Sequence, residues 1–184
     1  ANYCIDRQYL GQDVLCVQNA ATSRERFMPH QIERTTGPVR KVVVVGAGPA
    51  GCEAARVSAE RGHQVVLFEK SDAVGGQINL AAKAPQRDQM AGIVRWFDLE
   101  LKRLQVDVRL NTAADAHSIL AEKPDIVVMA SGGRPGITEN PDWGFDDRLA
   151  VSSWDVLSGQ IPVKPNVLVY DVMGQHAGTG TARS

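Results

Sequence analysis

The sequence predicts an α/β fold in which helices flank a parallel sheet. From Arg40 onward, short runs of β-branched and other apolar residues alternate with segments of helical periodicity, an order that is typical of α/β domains. A glycine-rich turn and an alanine-rich segment directly follow the first of these runs. The 184 residues, 43% of them hydrophobic and 22% charged, are enough for one domain, or for one domain with parts of its neighbours.

The first predicted strand–helix–strand unit opens this domain. Residues 41–45 form a short β-branched run closed by Gly46, which indicates a buried parallel strand. Residues 50–61 are rich in alanine and favour a helix, and Gly62 stands where a C-terminal cap is expected. Residues 64–69 read Q-V-V-L-F-E and are predicted to form the second strand.

Three further elements and a short helix complete the predicted domain. Apolar residues at three- and four-residue spacing across residues 90–104 predict an amphipathic helix. Alternating apolar residues over 106–110 predict a third strand, and the apolar run at 125–130 predicts a fourth. Ser152 or Ser153 is expected to cap one more short helix.

The two ends of the chain differ from the middle. Residues 1–38 show little periodicity, so we expect an irregular, cysteine-containing arm before the domain at 39–163. Residues 164–184 contain an expected strand at 166–171, followed by glycines at 174, 178 and 180. This order predicts the opening of a second domain of the same type, with a tail on an edge strand as the alternative. We expect the chain to continue at both ends in a longer protein.

Composition excludes several classes of function. Twenty basic and 21 acidic side chains give a net charge of −1, which argues against nucleic acid or an anionic membrane as the main partner. The apolar runs are too short to span a bilayer. Three cysteines are too few for a disulfide-built fold, and they suit a reducing cytoplasm.

The turn after the first strand fits the pattern G-x-G-x-x-G. This pattern is weak alone, but between a predicted strand and helix it indicates a Rossmann-like dinucleotide-binding domain. The first glycine permits the tight turn, the second lets a diphosphate approach the backbone, and the third allows close helix–sheet packing. The helix N-terminus then faces the phosphates. The predicted binding residues are Gly46, Ala47, Gly48, Pro49, Ala50 and Gly51.

An acidic residue follows at the spacing expected for a ribose-binding carboxylate. Glu69 closes the second strand 23 residues after Gly46, so we expect it to accept hydrogen bonds from the adenosine 2′- and 3′-hydroxyls. A carboxylate there also repels a 2′-phosphate, which disfavours NADP. The alternative is a turn with incidental glycines and a solvent-exposed glutamate.

Two more groups of small residues favour a long ligand. Gly75 and Gly76 lie soon after Glu69, where a paired glycine lets a loop approach an extended diphosphate. A third group ends the fourth strand. Three such groups around one crevice favour FAD over NAD, with an NAD-dependent dehydrogenase or a structural ADP-binding module as the alternatives. The further predicted binding residues are Lys70, Gly75, Gly76, Gln77, Ala130, Ser131 and Gly132.

These motifs resemble the FAD-binding domain of two-dinucleotide-binding flavoproteins, which is similar to that of the disulfide reductases. Ser131 stands where that family usually has Thr. A narrower resemblance adds the segments N-Y-C-I-D-R at 2–7 and C-V-Q-N-A-A at 16–21. In this order the motifs resemble the C-terminal part of the 2,4-dienoyl-CoA reductase and trimethylamine dehydrogenase family, and most of all its N-methylproline and dimethylglycine demethylase-like branch.

The resemblance implies an electron-transfer flavoprotein. Its members begin with an Old Yellow Enzyme-like barrel that carries FMN, followed by a segment that holds a [4Fe–4S] cluster. The implied substrates of the whole protein are a small amine that loses an N-methyl group, or an enoyl thioester that is reduced. NAD(H) and a homo-oligomer are further candidates that the resemblance allows. It implies no catalytic side chain within these residues, because the redox chemistry belongs to the cofactors.

The same resemblance implies roles for two of the cysteines. Cys4 and Cys16 match the last two cluster ligands of the family, and Ala1 stands where many relatives have another. A [4Fe–4S] centre needs four thiolates, so the remaining ligands are expected upstream. From spacing alone, two reduced and partly buried cysteines are the simpler interpretation. Cys52, on the first helix, is expected to be a small packed residue.

Overall fold

The computed structural model describes residues 3–135, 150–162, 165–171 and 182. At its centre lies a four-stranded sheet in which every neighbouring pair is parallel and the strand order is β3-β2-β1-β4. The strands are β1 (Lys41–Val45), β2 (Gln64–Phe68), β3 (Asp107–Arg109) and β4 (Ile126–Met129). The prediction of an α/β, Rossmann-like parallel sheet is therefore confirmed.

Six α-helices accompany the sheet in the described part of the chain. They are α1 (Tyr3–Tyr9), α2 (Pro49–Glu60), α3 (Gln77–Ala81), α4 (Ala91–Arg103), α5 (Ala116–Ala121) and α6 (Ser153–Ser158), and a 3₁₀ turn (Asp88–Met90) precedes α4. Across the described residues, every helix is too short or too polar to cross a membrane.

The register of the strands brings three of their carboxyl ends together. Val45 lies opposite Phe68 on one side and Met129 on the other. The ladder continues one step further, because Gly46 N–H donates to Phe68 O at 2.8 Å and Ala130 N–H donates to Val45 O at 2.8 Å. The residues that follow β1, β2 and β4 consequently meet at one edge of the sheet.

The two faces of the sheet are covered differently. One face packs against α2 and α4 and contains the larger core cluster, with Leu67, Cys52 and Leu101 almost fully buried. The other face contains Val43, Val66 and Phe68, with Ile119 of α5 packed against them. Burial of β-branched and aliphatic side chains on both faces explains why β1 and β2 are nearly continuous apolar runs.

Most predicted elements agree with the structure to within one or two residues. β1 has the predicted bounds, and α2 begins one residue earlier than predicted because Pro49 fits the first helical position. Gly62 follows α2 with φ +93°, the conformation expected after a helix end. Ser152 caps α6 by accepting a hydrogen bond from Asp155 N–H.

Other predictions of structure were wrong. The arm is not wholly irregular, since α1 forms in it, and α3 and α5 were not predicted. No strand forms at residues 165–171, where all the side chains are exposed. A strand requires a hydrogen-bonded neighbour, and the sheet of the described residues consists of β1 to β4. The glycines at 174, 178 and 180 lie outside the described residues.

Candidate functional site

In the glycine turn after β1, close packing leaves no room for a side chain at two of the glycines. Gly46 has φ +97°, and a Cβ added there would overlap the carbonyl group of Ala130. A Cβ added to Gly51 would overlap the carbonyl oxygen of Gly46. These two glycines are required for the close approach of α2 to β1 and β4, as the sequence pattern predicted.

Gly48 differs from both. Its φ of −68° is available to any residue, and a Cβ added to it would meet no described atom within 4 Å. Gly48 is the N-cap of α2, Pro49 follows it, and no side chain caps this end of the helix. The first turn of α2 therefore presents backbone N–H groups and the positive end of the helix dipole toward open space.

Glu69 lies directly beside this turn. Its side chain is 7% exposed, Oε2 accepts a hydrogen bond from Ala47 N–H at 2.7 Å, and Oε1 accepts one from Ser71 N–H at 2.8 Å. Burial alone would raise the pKa of Glu69, but these hydrogen bonds and the charge of Lys70 together lower the pKa below its ordinary value. The residue is thus a carboxylate held against the glycine turn.

The loop at Gly75 and Gly76 folds back over the turn. Gly75 N–H donates to Ala47 O at 2.7 Å. Gly76 has φ +51°, and a Cβ added there would lie 2.9 Å from the Cα of Gly48. The loop and the turn therefore touch through main-chain atoms, with no side chain between them.

The end of β4 completes the arrangement. The Ala130 Cβ lies 3.3 Å from the position of a Cβ added to Gly51, and Gln77 Nε2 lies 3.7 Å from that of a Cβ added to Gly132. Ser131 is exposed beside them. We call the space bounded by residues 46–51, 69, 75–77 and 130–132 the glycine mouth. The structure brings the three predicted groups of small residues together there.

The two cysteines of the arm line a separate pocket. Cys4 and Cys16 share a pocket of about 190 Å³ with Tyr3, Val17 and Gln18, and Gln18 N–H approaches Cys16 Sγ at 3.4 Å. Both predicted cluster ligands thus line one pocket. A [4Fe–4S] centre needs four, and the described residues contain no group of three or more potential metal ligands. Ala1 lies outside the described residues.

Cys52 belongs to the core behind the glycine mouth. Its side chain is fully buried, and the thiol donates to Ala47 O at 3.1 Å. Burial is the main cause that raises the pKa of Cys52 to about 12, and the nearby charge of Glu69 also raises it. The thiol is therefore neutral, and its packing in the core is as the sequence predicted.

Two contacts at the mouth were not predicted from the sequence. Ser71 binds Glu69 through its backbone N–H, and Asn79 Nδ2 donates to Val74 O at 2.9 Å, just before the paired glycines. Backbone donors leave no signal in residue type. An asparagine soon after a Gly-Gly pair is a signal that could have been used, because its short amide readily binds nearby backbone.

Comparison with known proteins is consistent with this geometry. Residues 40–143 match the family model described as "Pyridine nucleotide-disulphide oxidoreductase". The chain is 60% identical to an N,N-dimethylglycine/sarcosine dehydrogenase of Chromohalobacter salexigens, covering 99% of this chain and 27% of that protein. It is 47% identical to a probable N-methylproline demethylase of Rhizobium meliloti, with coverage of 99% and 26%.

A solved structure of another oxidoreductase is also similar to this chain. The chain resembles a 2-naphthoyl-CoA reductase with a TM-score of 0.83 and 33% identity, covering 98% of this chain and 27% of that one. The chain thus spans about a quarter of the length of the proteins that it matches. The predicted resemblance to the demethylase-like branch is confirmed by the two curated relatives. Because the family model covers more than half of its residues, the chain belongs to the pyridine nucleotide-disulphide oxidoreductase family.

Proposed function

We propose that this chain is the nucleotide-binding part of a flavin-dependent electron-transfer oxidoreductase. In this proposal the glycine mouth binds FAD through its ADP half, or binds ADP itself. The supporting observation is the open position at Gly48, where a Cβ would meet no described atom, although a Cβ at four other glycines of the mouth would come within 3.0 Å of a neighbouring atom (Gly46, Gly51, Gly75 and Gly76). A glycine that the fold does not need is explained by a ligand that approaches its backbone.

Each part of the mouth has a role in this proposal. The N–H groups at the start of α2 bind the diphosphate, aided by the helix dipole. Glu69 binds the ribose hydroxyls, since each of its oxygens accepts one N–H and keeps the capacity to accept another hydrogen bond. The Gly75–Gly76 loop and the end of β4 lie along the rest of the ligand. The negative charge of Glu69 disfavours NADP.

The chain's own residues bind and orient the ligand, and they make no bond in the reaction. FAD, when bound, supplies the electron transfer. The names of the curated relatives support oxidative removal of an N-methyl group from a small amine as the reaction of the whole protein. The name of the structural relative, a reductase of an aromatic acyl-CoA, supports reduction of an enoyl thioester as the other option.

The remaining partners also belong to the whole protein. We include an Old Yellow Enzyme-like barrel with FMN, a [4Fe–4S] cluster to which Cys4 and Cys16 contribute, and NAD(H) as an electron donor or acceptor. The shared pocket of the two thiols supports the cluster. The short coverage of the relatives supports a larger polypeptide.

The decisive variant is Gly48→Ala. Its methyl group has room in the protein but would occupy the space of a bound diphosphate. We expect the variant to keep the wild-type circular dichroism spectrum and to bind FAD and ADP at least about tenfold more weakly, as expected for the loss of a well-placed contact. Isothermal titration calorimetry with FAD, ADP, NAD⁺ and NADP⁺ measures this effect and the order of preference.

Gly37→Ala is the matched control. A Cβ at Gly37 would make only an ordinary contact, 3.6 Å from Thr35 Oγ1, so this variant should bind like the wild type. Equal affinity of Gly48→Ala and wild type would contradict the proposed mouth. Failure of the wild-type chain to bind any of the four nucleotides would contradict the proposed function.

A structural ADP-binding module is the second candidate. Each described feature of the mouth is proposed to bind a diphosphate or a ribose, and ADP and FAD both contain these groups. Tighter binding of ADP than of FAD, together with one flavin per polypeptide in the whole protein, would favour the module. Two flavins per polypeptide would favour FAD in the mouth.

A further inference from the structure

The Gly75–Gly76 loop has an unusual backbone for a segment that forms one wall of a site. Two consecutive residues have positive φ angles, +112° and +51°. Glycine adopts these angles readily but is equally free to adopt others, so the loop keeps a single shape only when its surroundings hold it. Gly75 is held from one side by its hydrogen bond to Ala47 O. From the other side Val94 of α4 packs so closely that a Cβ on Gly75 would lie 2.6 Å from its Cγ2.

Asn79 provides the remaining support. This half-buried side chain donates from Nδ2 to Val74 O at 2.9 Å, and the backbone N–H of Asn79 donates to Gly76 O at 3.1 Å. Its Oδ1 lies 2.9 Å from the position of a Cβ on Gly75. Asn79 therefore hydrogen-bonds to the residues on both sides of Gly75.

Loss of this support would move the wall. Val74 is 6% exposed, so water has little access to its carbonyl if the Asn79 amide is removed, and an unsatisfied carbonyl drives rearrangement. The loop would then shift relative to Gly48, whose Cα lies 2.9 Å from the position of a Cβ on Gly76. Displacements of about 1 Å in a supporting segment are enough to weaken a site.

We propose that Asn79 is a positioning residue of the glycine mouth, which holds the Gly75–Gly76 wall at the separation from Gly48 that a bound diphosphate requires. Asn79 acts through the loop and does not touch the ligand. This inference rests on the proposed function, because it assigns a supporting residue to the same site.

The test uses the 184-residue chain with the variants Asn79→Ala and Asn79→Asp. The first removes the side-chain donor, and the second keeps the shape but replaces the donor with a carboxylate that repels Val74 O. We expect Asn79→Ala to bind ADP about three- to tenfold more weakly in calorimetry, the range expected for one hydrogen bond. Asn79→Asp should lose at least as much affinity for ADP. If Asn79→Ala does not fold, Asn79→Asp by itself provides the test.

A second measurement reports on the loop without any ligand. Hydrogen exchange of the Gly75 amide, taken as a ratio to that of the Leu67 amide in the centre of β2, should be faster in both variants. A residue with only a general structural role would not change this ratio. Ile119→Ala is the control, because Ile119 packs on the opposite face of the sheet. It should lower the melting temperature and leave ADP affinity unchanged.

The outcomes separate the two proposals. Wild-type affinity for ADP in both Asn79 variants, or an unchanged exchange ratio for Gly75, overturns the role of Asn79 while wild-type binding of ADP upholds the proposed function. A wild-type chain that binds no ADP overturns both.

Discussion

The glycine mouth and the arm of residues 1–38 are two regions of one chain with opposite construction. In the mouth, segments that follow β1, β2 and β4 are packed so closely that Cβ atoms would overlap backbone, and Glu69 is 7% exposed. In the arm, Tyr9 is 87% exposed and Phe27 is 84% exposed, and Ala21 is the one buried apolar residue among those described.

The difference in packing between the mouth and the arm shows that a site at the edge of a sheet can be formed within one chain segment, whereas a site on a segment without a core depends on other residues. Strand ends at the edge of a parallel sheet are fixed by the sheet's own hydrogen bonds, so the mouth is formed within these residues. The cysteine pair lies on a segment without a core, and the [4Fe–4S] cluster proposed for it would need two more thiolate ligands. The apolar surface of the arm is the kind of surface that other protein segments cover.

Thiol reactivity should separate the two regions most strongly. We expect Cys4 and Cys16, both half-buried, to react with a thiol reagent in the folded chain. Cys52 should react slower by about a thousandfold or more, because it is fully buried with a pKa of about 12 and needs unfolding to be exposed. Mass spectrometry of labelled peptides over time measures this, and in denaturant all three should react. Labelling of Cys52 as fast as Cys4 would contradict the buried location.

Gly51→Ala should be the most damaging substitution in the mouth. The added Cβ would overlap the carbonyl oxygen of Gly46, and neither backbone segment can move without breaking the packing of α2 on β1. We expect a loss of about 4 kcal/mol or more in the free energy of unfolding, measured by urea denaturation. Gly48→Ala is the matched variant and should lose about 1 kcal/mol or less, the difference between glycine and alanine at an N-cap. Equal losses would show that the turn is less tightly packed.

Glu69→Gln tests the electrostatics of the mouth. It replaces a carboxylate that accepts two backbone hydrogen bonds, and we expect a loss of about 2 kcal/mol near pH 7. The pKa of Glu69 is lowered in the folded chain, so its contribution is complete above the unfolded pKa of about 4.3. That contribution disappears as the pH falls through the lower, folded pKa.

The difference between wild type and Glu69→Gln should therefore narrow in acid, which unfolding curves from pH 7 to pH 3 measure. Glu25→Gln in the arm is the control. The Glu25 side chain is 49% exposed beside His30, so this substitution should have little effect at any pH. A difference for Glu69→Gln that does not change with pH would mean that the carboxylate charge is not what matters.

Gly11→Ala should have the smallest effect. Gly11 lies two residues after the end of α1 with φ +66°, and a Cβ added to it would meet no described atom within 4 Å, so the cost is backbone strain alone, about 1 kcal/mol. That cost should speed proteolytic cleavage of the arm roughly fivefold and leave the urea unfolding of the sheet unchanged. A loss of sheet stability would mean that the arm and the sheet unfold together.

The sequence predicted the sheet and the mouth well because both depend on local patterns. The β-branched run of β1, the glycine turn and the spacing to Glu69 are each readable from residue type, and the order of strands and helices defines where they meet. The end of β4 was predicted for the same reason, as a small-residue segment after an apolar run.

The remaining features depend on partners that a sequence does not display. α1 and α3 are only seven and five residues long, too short for a reliable periodic pattern. α5 has a capping box in which Asp115 accepts from Ser118 N–H, and this signal was available but missed. The segment at 165–171 has the apolar composition of a strand but does not join the described sheet, because strand pairing depends on two segments and a sequence pattern displays only one of them.

The contact of Gly76 with Gly48 has a consequence for how such a cleft can change in evolution. Its two walls consist of peptide units, so exchanging a neighbouring side chain for another leaves the width of the cleft as it was. Under the proposed function, preference among nucleotides would then be adjusted at the ends of the cleft, at Glu69 and Lys70 on one side and at Gln77 and Ser131 on the other. A designer who wishes to retarget this protein should leave the glycines untouched and vary those four positions.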